Sequence, residues 1–293
     1  MKELLSPKQV ATSIGVSESS LKRWCDQGVI TTERTPGGHR RIRVGEVIRF
    51  LRQQNHPLVR PEVLGLPSGA GERPQALAEA REALFEALTR GDSEQSRRLV
   101  IDSFLSGGSV VSICQDLITP VLHSLGDEWE CGMVEIFQEH RACEIVNRLM
   151  YDLRSVLPPP APAAPLAMGG TPPGDVYRIA NLMVELILVD EGWEAVSLGS
   201  SLPFPTMASA ARQHEPRLFW MSFTHVEDHE RTRHGFQEFL ENTPATMRVA
   251  IGGQGVVESL SDLCDGQRVC CCGDLHEFRS TIEAWRAVDP ADE

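Results

Sequence analysis

Three groups of residues have the types and spacing to do chemistry. The first is polar and basic: Ser19, Ser20, Lys22 and Arg23 in one short stretch, then Arg34, His39, Arg40 and Arg41 in the next. Hydroxyls, an ammonium and guanidiniums at this density suit the phosphates and base edges of nucleic acid. The second group is Trp129, followed ten residues later by Glu139-His140. A Trp at a helix end and a Glu-His pair early on the next helix can face one cavity. The same residues also read as a packed Trp, a capping Glu and a surface His. The third group is a set of loops: Gly169-Gly170-Thr171-Pro172-Pro173-Gly174-Asp175, Ser222-Phe223-Thr224 and Gly252-Gly253-Gln254-Gly255. Glycines there let a ligand approach the backbone closely, although such loops are often Gly-rich with no ligand.

The basic group needs two helices and a hairpin to position it. Ser6 can cap a helix, Pro7 suits its first position, and Gln9 stands three residues after the cap. That helix is predicted to run to about Ile14, where Gly15-Val16 breaks it. Ser17 then caps a second helix to about Gln27. Two short helices across a tight Gly-containing turn make a helix-turn-helix. Val10, Ala11, Ile14, Val16, Leu21 and Trp24 are its expected core. The turn Pro36-Gly37-Gly38 between two short strands makes a hairpin wing carrying Arg34, His39, Arg40 and Arg41. A third helix over 44–54 closes the unit.

Charge follows the same division. Residues 1–60 hold 11 Lys/Arg against 5 Asp/Glu, and the rest hold 17 against 36. A basic head on an acidic body is the electrostatic pattern of a DNA-binding module with a separate partner domain. The 293 residues predict two or three domains. No apolar run is long enough for a membrane span, and the start lacks the apolar core of a signal peptide. The eight cysteines are scattered without CxxC spacing, so no zinc site or disulfide framework is indicated. A reduced, cytoplasmic location is expected.

The other two groups belong to a helical segment and an alternating one. Residues 55–74 are Pro/Gly-rich and read as a linker. Four helices are predicted over 76–90, 93–105, 110–130 and 134–157, enough for a small bundle. Leu77, Ala80, Leu84 and Leu88 lie on one face of the first. A Pro/Ala linker over 157–165 leads to five strands, at 166–168, 194–198, 218–223, 248–251 and 268–271. The helices between and after them are expected at 176–191, 206–214, 227–241, 256–263 and 275–288. The expected class is therefore multidomain α and α/β. It joins a winged helix-turn-helix (1–55), a four-helix bundle (75–157) and a flavodoxin- or Rossmann-like doubly wound parallel sheet (166–289). Such a sheet binds ligands at the carboxyl ends of its strands, where the third group lies.

The head resembles the DNA-binding domain of the MerR family, in Leu21-Lys22-Arg23-Trp24 and above all in Arg34-Thr35-Pro36-Gly37-Gly38-His39-Arg40-Arg41. The sheet domain resembles the cobalamin-binding domain of methionine synthase and its relatives. Their pattern is Asp-x-His-x-x-Gly, 41 residues, Ser-x-Leu, 26–28 residues, Gly-Gly. Here Asp175-x-Tyr177-x-x-Ala180 is followed by 41 residues, then Ser222-x-Thr224, 27 residues, and Gly252-Gly253. The spacing is kept, but Tyr177 replaces the ligand His, Ala180 the Gly and Thr224 the Leu. Over nearly the whole chain the three parts resemble the CarA/CarH/LitR group of MerR-type repressors. In that group a Trp-x9-Glu-His motif covers the upper face of adenosylcobalamin, and Trp129, Glu139 and His140 match it. Photolabile members carry a second ligand His directly after that Trp, where this chain has Glu130.

The resemblance implies a non-enzymatic regulator, expected to be a repressor. Its head binds double-stranded operator DNA, and its cobalamin-type module senses a ligand or light. It also implies homo-oligomers, dimer or tetramer; in the related photoreceptors dark tetramers bind DNA and light breaks them up. One winged helix gives little affinity, which also calls for at least a dimer. A phenol has an ordinary pKa of about 10 and is a poor substitute for imidazole. Three inputs stay open on that ground: cobalamin without a protein lower ligand, another tetrapyrrole such as haem on Tyr177, or no ligand at all, with control by an antirepressor protein. A corrinoid enzyme or methyl carrier is the remaining reading. His225 is a weaker candidate for the same cavity, and His229 and His234 are expected in solvent.

Overall fold

The computed structural model describes residues 4–71, 76–256 and 258–288. The chain divides into two units, residues 1–159 and 160–293.

The first unit opens with the winged helix-turn-helix. Helix α1 (Pro7–Ile14) starts on the expected capping box: Ser6 Oγ accepts from the Gln9 N–H, and the Gln9 side chain accepts from the Ser6 N–H. It ends at Gly15, whose left-handed φ of 73° suits glycine. Helix α2 (Glu18–Asp26) starts on Ser17. Strand β1 (Leu4–Leu5), which the sequence did not disclose, pairs antiparallel with β3 (Arg40–Arg43), and β3 pairs with the wing strand β2 (Glu33–Arg34). Helix α3 (Val44–Gln54) follows. Val10, Ala11, Ile14 and Leu21 are buried as expected, while Val16 and Trp24 are only half-buried. Trp24 stacks obliquely on Phe50 of α3, with ring centroids 5.0 Å apart.

The segment read as a linker is packed structure through Gly71; residues 72–75 lie outside the described chain. The N–H groups of Val59 and Arg60 both donate to the Ser13 carbonyl at 2.9 Å. Pro61–Leu64 forms a 3-10 turn, and Leu64, Leu66 and Ala70 are buried. The Gly71 N–H donates to Asp102. Composition misled here because prolines and glycines also serve in a packed strap, several of whose backbone N–H groups find partners in the head and the bundle.

The bundle comprises α4 (Leu77–Arg90), α5 (Ser93–Leu105), a continuous helix from α6 (Val110–Ser112) through α7 (Thr119–Glu130), and α8 (Ile136–Val156). Ala80, Leu84 and Leu88 are buried, but Leu77, expected on the same face, is exposed at the helix start. Between α6 and α7, Ile113–Ile118 is π-helical. Pro120 has no N–H to give the Asp116 carbonyl, and Arg81 Nε of α4 donates to that carbonyl instead. The head sits directly on the bundle. Arg52 of α3 lies over the Phe104 ring, 4.1 Å from its centroid, and donates to the Gly108 carbonyl at 3.0 Å. Gly45 of α3 is so close to α8's end that a Cβ there would lie 2.5 Å from the Leu157 carbonyl oxygen.

The second unit is a five-stranded, wholly parallel sheet: β4 (Leu166–Gly170), β5 (Glu194–Ser197), β6 (Leu218–Ser222), β7 (Arg248–Gly252) and β8 (Val269–Cys272) in the order β5-β4-β6-β7-β8. Helices α9 (Ile179–Asp190), α10 (Phe204–His214), α11 (His229–Glu241), α12 (Glu258–Ser261) and α13 (Leu275–Val288) alternate with the strands. This is the expected doubly wound order. Phe219, Met221 and Phe223 on one face of β6 pack with Phe236 and Phe239 of α11. Strand β4 runs two residues further than expected, so Gly169 and Gly170 lie in the strand and not in the loop. The cysteine run forms the edge strand β8, with Cys272 buried and Cys270 and Cys271 half-buried.

Candidate functional site

On the head, the capping and wing geometry decides which polar groups face outward. Ser20 is occupied locally: its N–H donates to Ser17 Oγ, and the two hydroxyls are 2.9 Å apart. Ser19, Lys22 and Arg23 are exposed, and Lys22 pairs one turn back with Glu18 at 2.9 Å. The wing closes through Thr35, whose N–H donates to the His39 carbonyl and whose carbonyl accepts from Gly38, a residue at φ 77°. This turn leaves Arg34 and His39 exposed and Arg41 half-buried. Arg40 is turned inward: its Nη2 lies 2.7 Å from Asp26 Oδ1 at the end of α2. That hydrogen bond raises the guanidinium above its ordinary pKa.

On the bundle, Trp129 ends α7, and Glu139 and His140 stand in the first turns of α8, beyond the turn at 131–135. The cap of α8 is Glu135, boxed with Gln138, so Glu139 is not the capping residue. Glu139 instead accepts from the Cys143 thiol at 3.1 Å and lies 3.6 Å from His140 Nε2. Burial and this carboxylate push the Cys143 thiol up to about 12. Trp129 is 45% exposed, so it is not a core residue, and His140 is exposed. Ile136 and Phe137 (60% exposed) join it on the same turn region, with Met133. Sequence reasoning missed these three; the signal was an apolar run at a helix start, where polar residues are usual. A group of large exposed apolar side chains marks a surface that something covers.

On the sheet, strand order reverses between β4 and β6, and the loops leaving those two strands form the switch point where this architecture takes ligands. Asp175 ties the two loops together. Its buried carboxylate accepts from the Tyr177 N–H at 3.0 Å on one oxygen, and from the Thr224 and His225 N–H groups at 2.6 and 3.2 Å on the other. The rings of Tyr177 and His225 stand edge to face outside it, centroids 6.5 Å apart. Tyr177 is 55% exposed. Ser222 is buried at the end of β6, and the buried Thr224 Oγ1 has no hydrogen-bond partner among the described residues.

Gly252 and Gly253 have packing reasons of their own. A Cβ on Gly253, at φ 107°, would lie 2.4 Å from the Phe223 carbonyl oxygen, and one on Gly252 would lie 2.9 Å from that of Cys272. Gly169 likewise makes room for the Trp220 indole, into which a Cβ would project at 2.2 Å. Trp220 is buried and donates through Nε1 to Asn181 at 2.6 Å, which donates to Ser197 at 2.8 Å. The Gly-Gly pair ending β4 was the sequence signal for that close approach.

The donor set at the switch point fits a metal-centred planar ligand in one respect. An imidazole and a phenol, those of His225 and Tyr177, face outward side by side. Among the described residues no group of three or more His, Cys, Asp or Glu could hold a bare metal ion, and no helix is long and apolar enough to cross a membrane.

Residues 4–55 match the model of a helix-turn-helix domain, and residues 80–153, helices α4 to α8, match that of a B12 binding domain. The chain therefore joins a helix-turn-helix domain to a B12 binding domain. It is similar to the HTH-type transcriptional repressor CarA of Myxococcus xanthus, 25% identical over 263 residues, which is 86% of this chain and 88% of that protein. The fold is also that of the monomethylamine corrinoid protein of Methanosarcina barkeri. That likeness has a TM-score of 0.57 at 15% identity and covers 73% of this chain and all of the other.

Proposed function

We propose that this chain is a repressor whose corrinoid-binding module senses a B12 cofactor, or light through it, and thereby sets oligomeric state and operator binding. One observation carries the reading: a helix-turn-helix domain and a B12 binding domain share one chain, which aligns over 86% of its length with a transcriptional repressor. Ser19, Lys22 and Arg23 face the major groove, with Ser20 holding the start of their helix. Arg34, His39 and Arg41 meet the phosphates or minor groove. Arg40 acts on the wing through Asp26.

Trp129, Glu139 and His140 are the bundle residues that would help to hold the cofactor, as the family resemblance implies. Asp175 holds the loops that carry Tyr177 and Thr224, and Ser222, Gly252 and Gly253 complete the seat. When bound, a corrinoid supplies a cobalt whose axial bonds respond to ligand and light. The packing of α3 on the bundle supports direct passage of a change at the cofactor to the DNA-binding head, since Arg52 and Gly45 leave no slack at that seam. At least a dimer is required for a two-part operator.

The test is reconstitution of the full chain with adenosylcobalamin in the dark. Retained corrinoid absorption after gel filtration, with a light-dependent change in elution volume, is the expected result. Corrinoid-free protein after that step would contradict it. The exposed phenol of Tyr177 favours a second reading, ferric haem, and haem bands in a parallel titration would support that instead.

A further inference from the structure

We propose that His225 is the axial cobalt donor of this module, in place of the imidazole that Tyr177 does not provide. The inference rests on the corrinoid reading above. The switch point is built from two loops, one leaving β4 and one leaving β6. Asp175 accepts backbone N–H groups from both with one buried carboxylate. It therefore holds the backbone at His225 as it does at Tyr177, and their rings are neighbours at 6.5 Å. A donor lost from one loop is in this way matched by a donor on the other.

The chemistry selects His225 over Tyr177. An imidazole nitrogen is a common ligand of late transition metals, which a phenol is not. His225 is exposed, so its ring can meet a ligand without unpacking the core. His229 and His234 lie further along, on α11, and His234 pairs with Glu238 at 3.3 Å. Binding is a ligand exchange: a neutral imidazole nitrogen donates its electron pair to cobalt, and a water or the cofactor's own base leaves. No electron is transferred.

The test is electron paramagnetic resonance of the full chain loaded with hydroxocobalamin and reduced to the cobalt(II) state. An axial nitrogen splits each cobalt line into a triplet, and replacing that nitrogen with 15N changes it to a doublet. Protein labelled with 15N-histidine should give the doublet. His225→Ala should lose it and Tyr177→Phe should keep it, both with unchanged circular dichroism. A triplet indifferent to labelling, meaning the cofactor's own base is the donor, would overturn the assignment. So would a doublet that survives in His225→Ala, for example from His140. A chain that retains no corrinoid would instead remove the reading beneath it.

Discussion

Arg40 and Asp26 clamp the wing to the end of the second helix, Nη2 to Oδ1 at 2.7 Å. The two adjacent arginines of the wing thus do different work. Arg41, half-buried on β3 and outside that pair, is the one expected on a phosphate.

Arg41→Ala should therefore reduce the slope of log affinity against log salt by about 0.9, the loss of one phosphate contact. Its thermal stability should hold. Arg40→Ala should weaken operator binding through wing placement and cost up to about 1 kcal/mol of stability, the range for a solvent-exposed pair. Operator titrations at several salt concentrations, with melting curves of both variants, check this. An unchanged slope in Arg41→Ala means the wing does not touch the backbone.

Gly45→Ala tests the seam between head and bundle. The added Cβ would meet the Leu157 carbonyl oxygen at 2.5 Å, and backbone on both sides cannot yield cheaply. A loss of about 1–3 kcal/mol is expected for such overpacking, with new protease cleavage in the strap at 56–71. Denaturant unfolding and limited proteolysis read both. Stability equal to the unaltered chain would mean that α3 is not held against α8.

Cys143 gives a pH-dependent expectation. Its thiol is pushed up to about 12 by burial and by the Glu139 carboxylate, against an unfolded value of 9.0. Below 9 both states keep the proton and the group is silent. Between 9 and 12 the unfolded state releases it first, so this group makes stability fall as pH rises. Glu139→Gln should narrow that window from its upper end, so that less stability is lost as pH rises, and should speed alkylation of Cys143. The exposed Cys131 should react first in the unaltered chain.

Trp129→Ala should cost less than about 1 kcal/mol, far below the ~3–5 kcal/mol of a buried Trp, because the side chain is 45% exposed. It should nevertheless alter corrinoid retention or the oligomer's response. Paired melting curves and spectral titrations decide this; a large stability loss with normal corrinoid binding would make Trp129 a packing residue.

Local chemistry was legible in the sequence. The Ser6–Gln9 box, the left-handed Gly15 and the Thr35–His39 turn each depend on neighbours within four residues, and the head followed from them. The period of the five βα units likewise disclosed the parallel sheet. What escaped depends on distant partners. The π segment needs Arg81 from another helix, thirty-five residues from Asp116. Leu4–Leu5 becomes a strand only because β3 is there to pair with it. The loop cluster was legible as spacing: Asp175, Ser222 and Gly252-Gly253 follow or end the adjacent strands β4, β6 and β7. Which groups face outward was not, because Asp175's hold on Thr224 and His225 spans about fifty residues.

Corrinoid occupancy is expected to control DNA binding, and operator affinity of the same preparation with and without cofactor reads that control. Fluorescence anisotropy of a labelled operator, with bound corrinoid quantified in each sample, should give affinities differing by at least about fivefold, the lower end of ordinary allosteric coupling. Equal affinities with corrinoid demonstrably bound would contradict it.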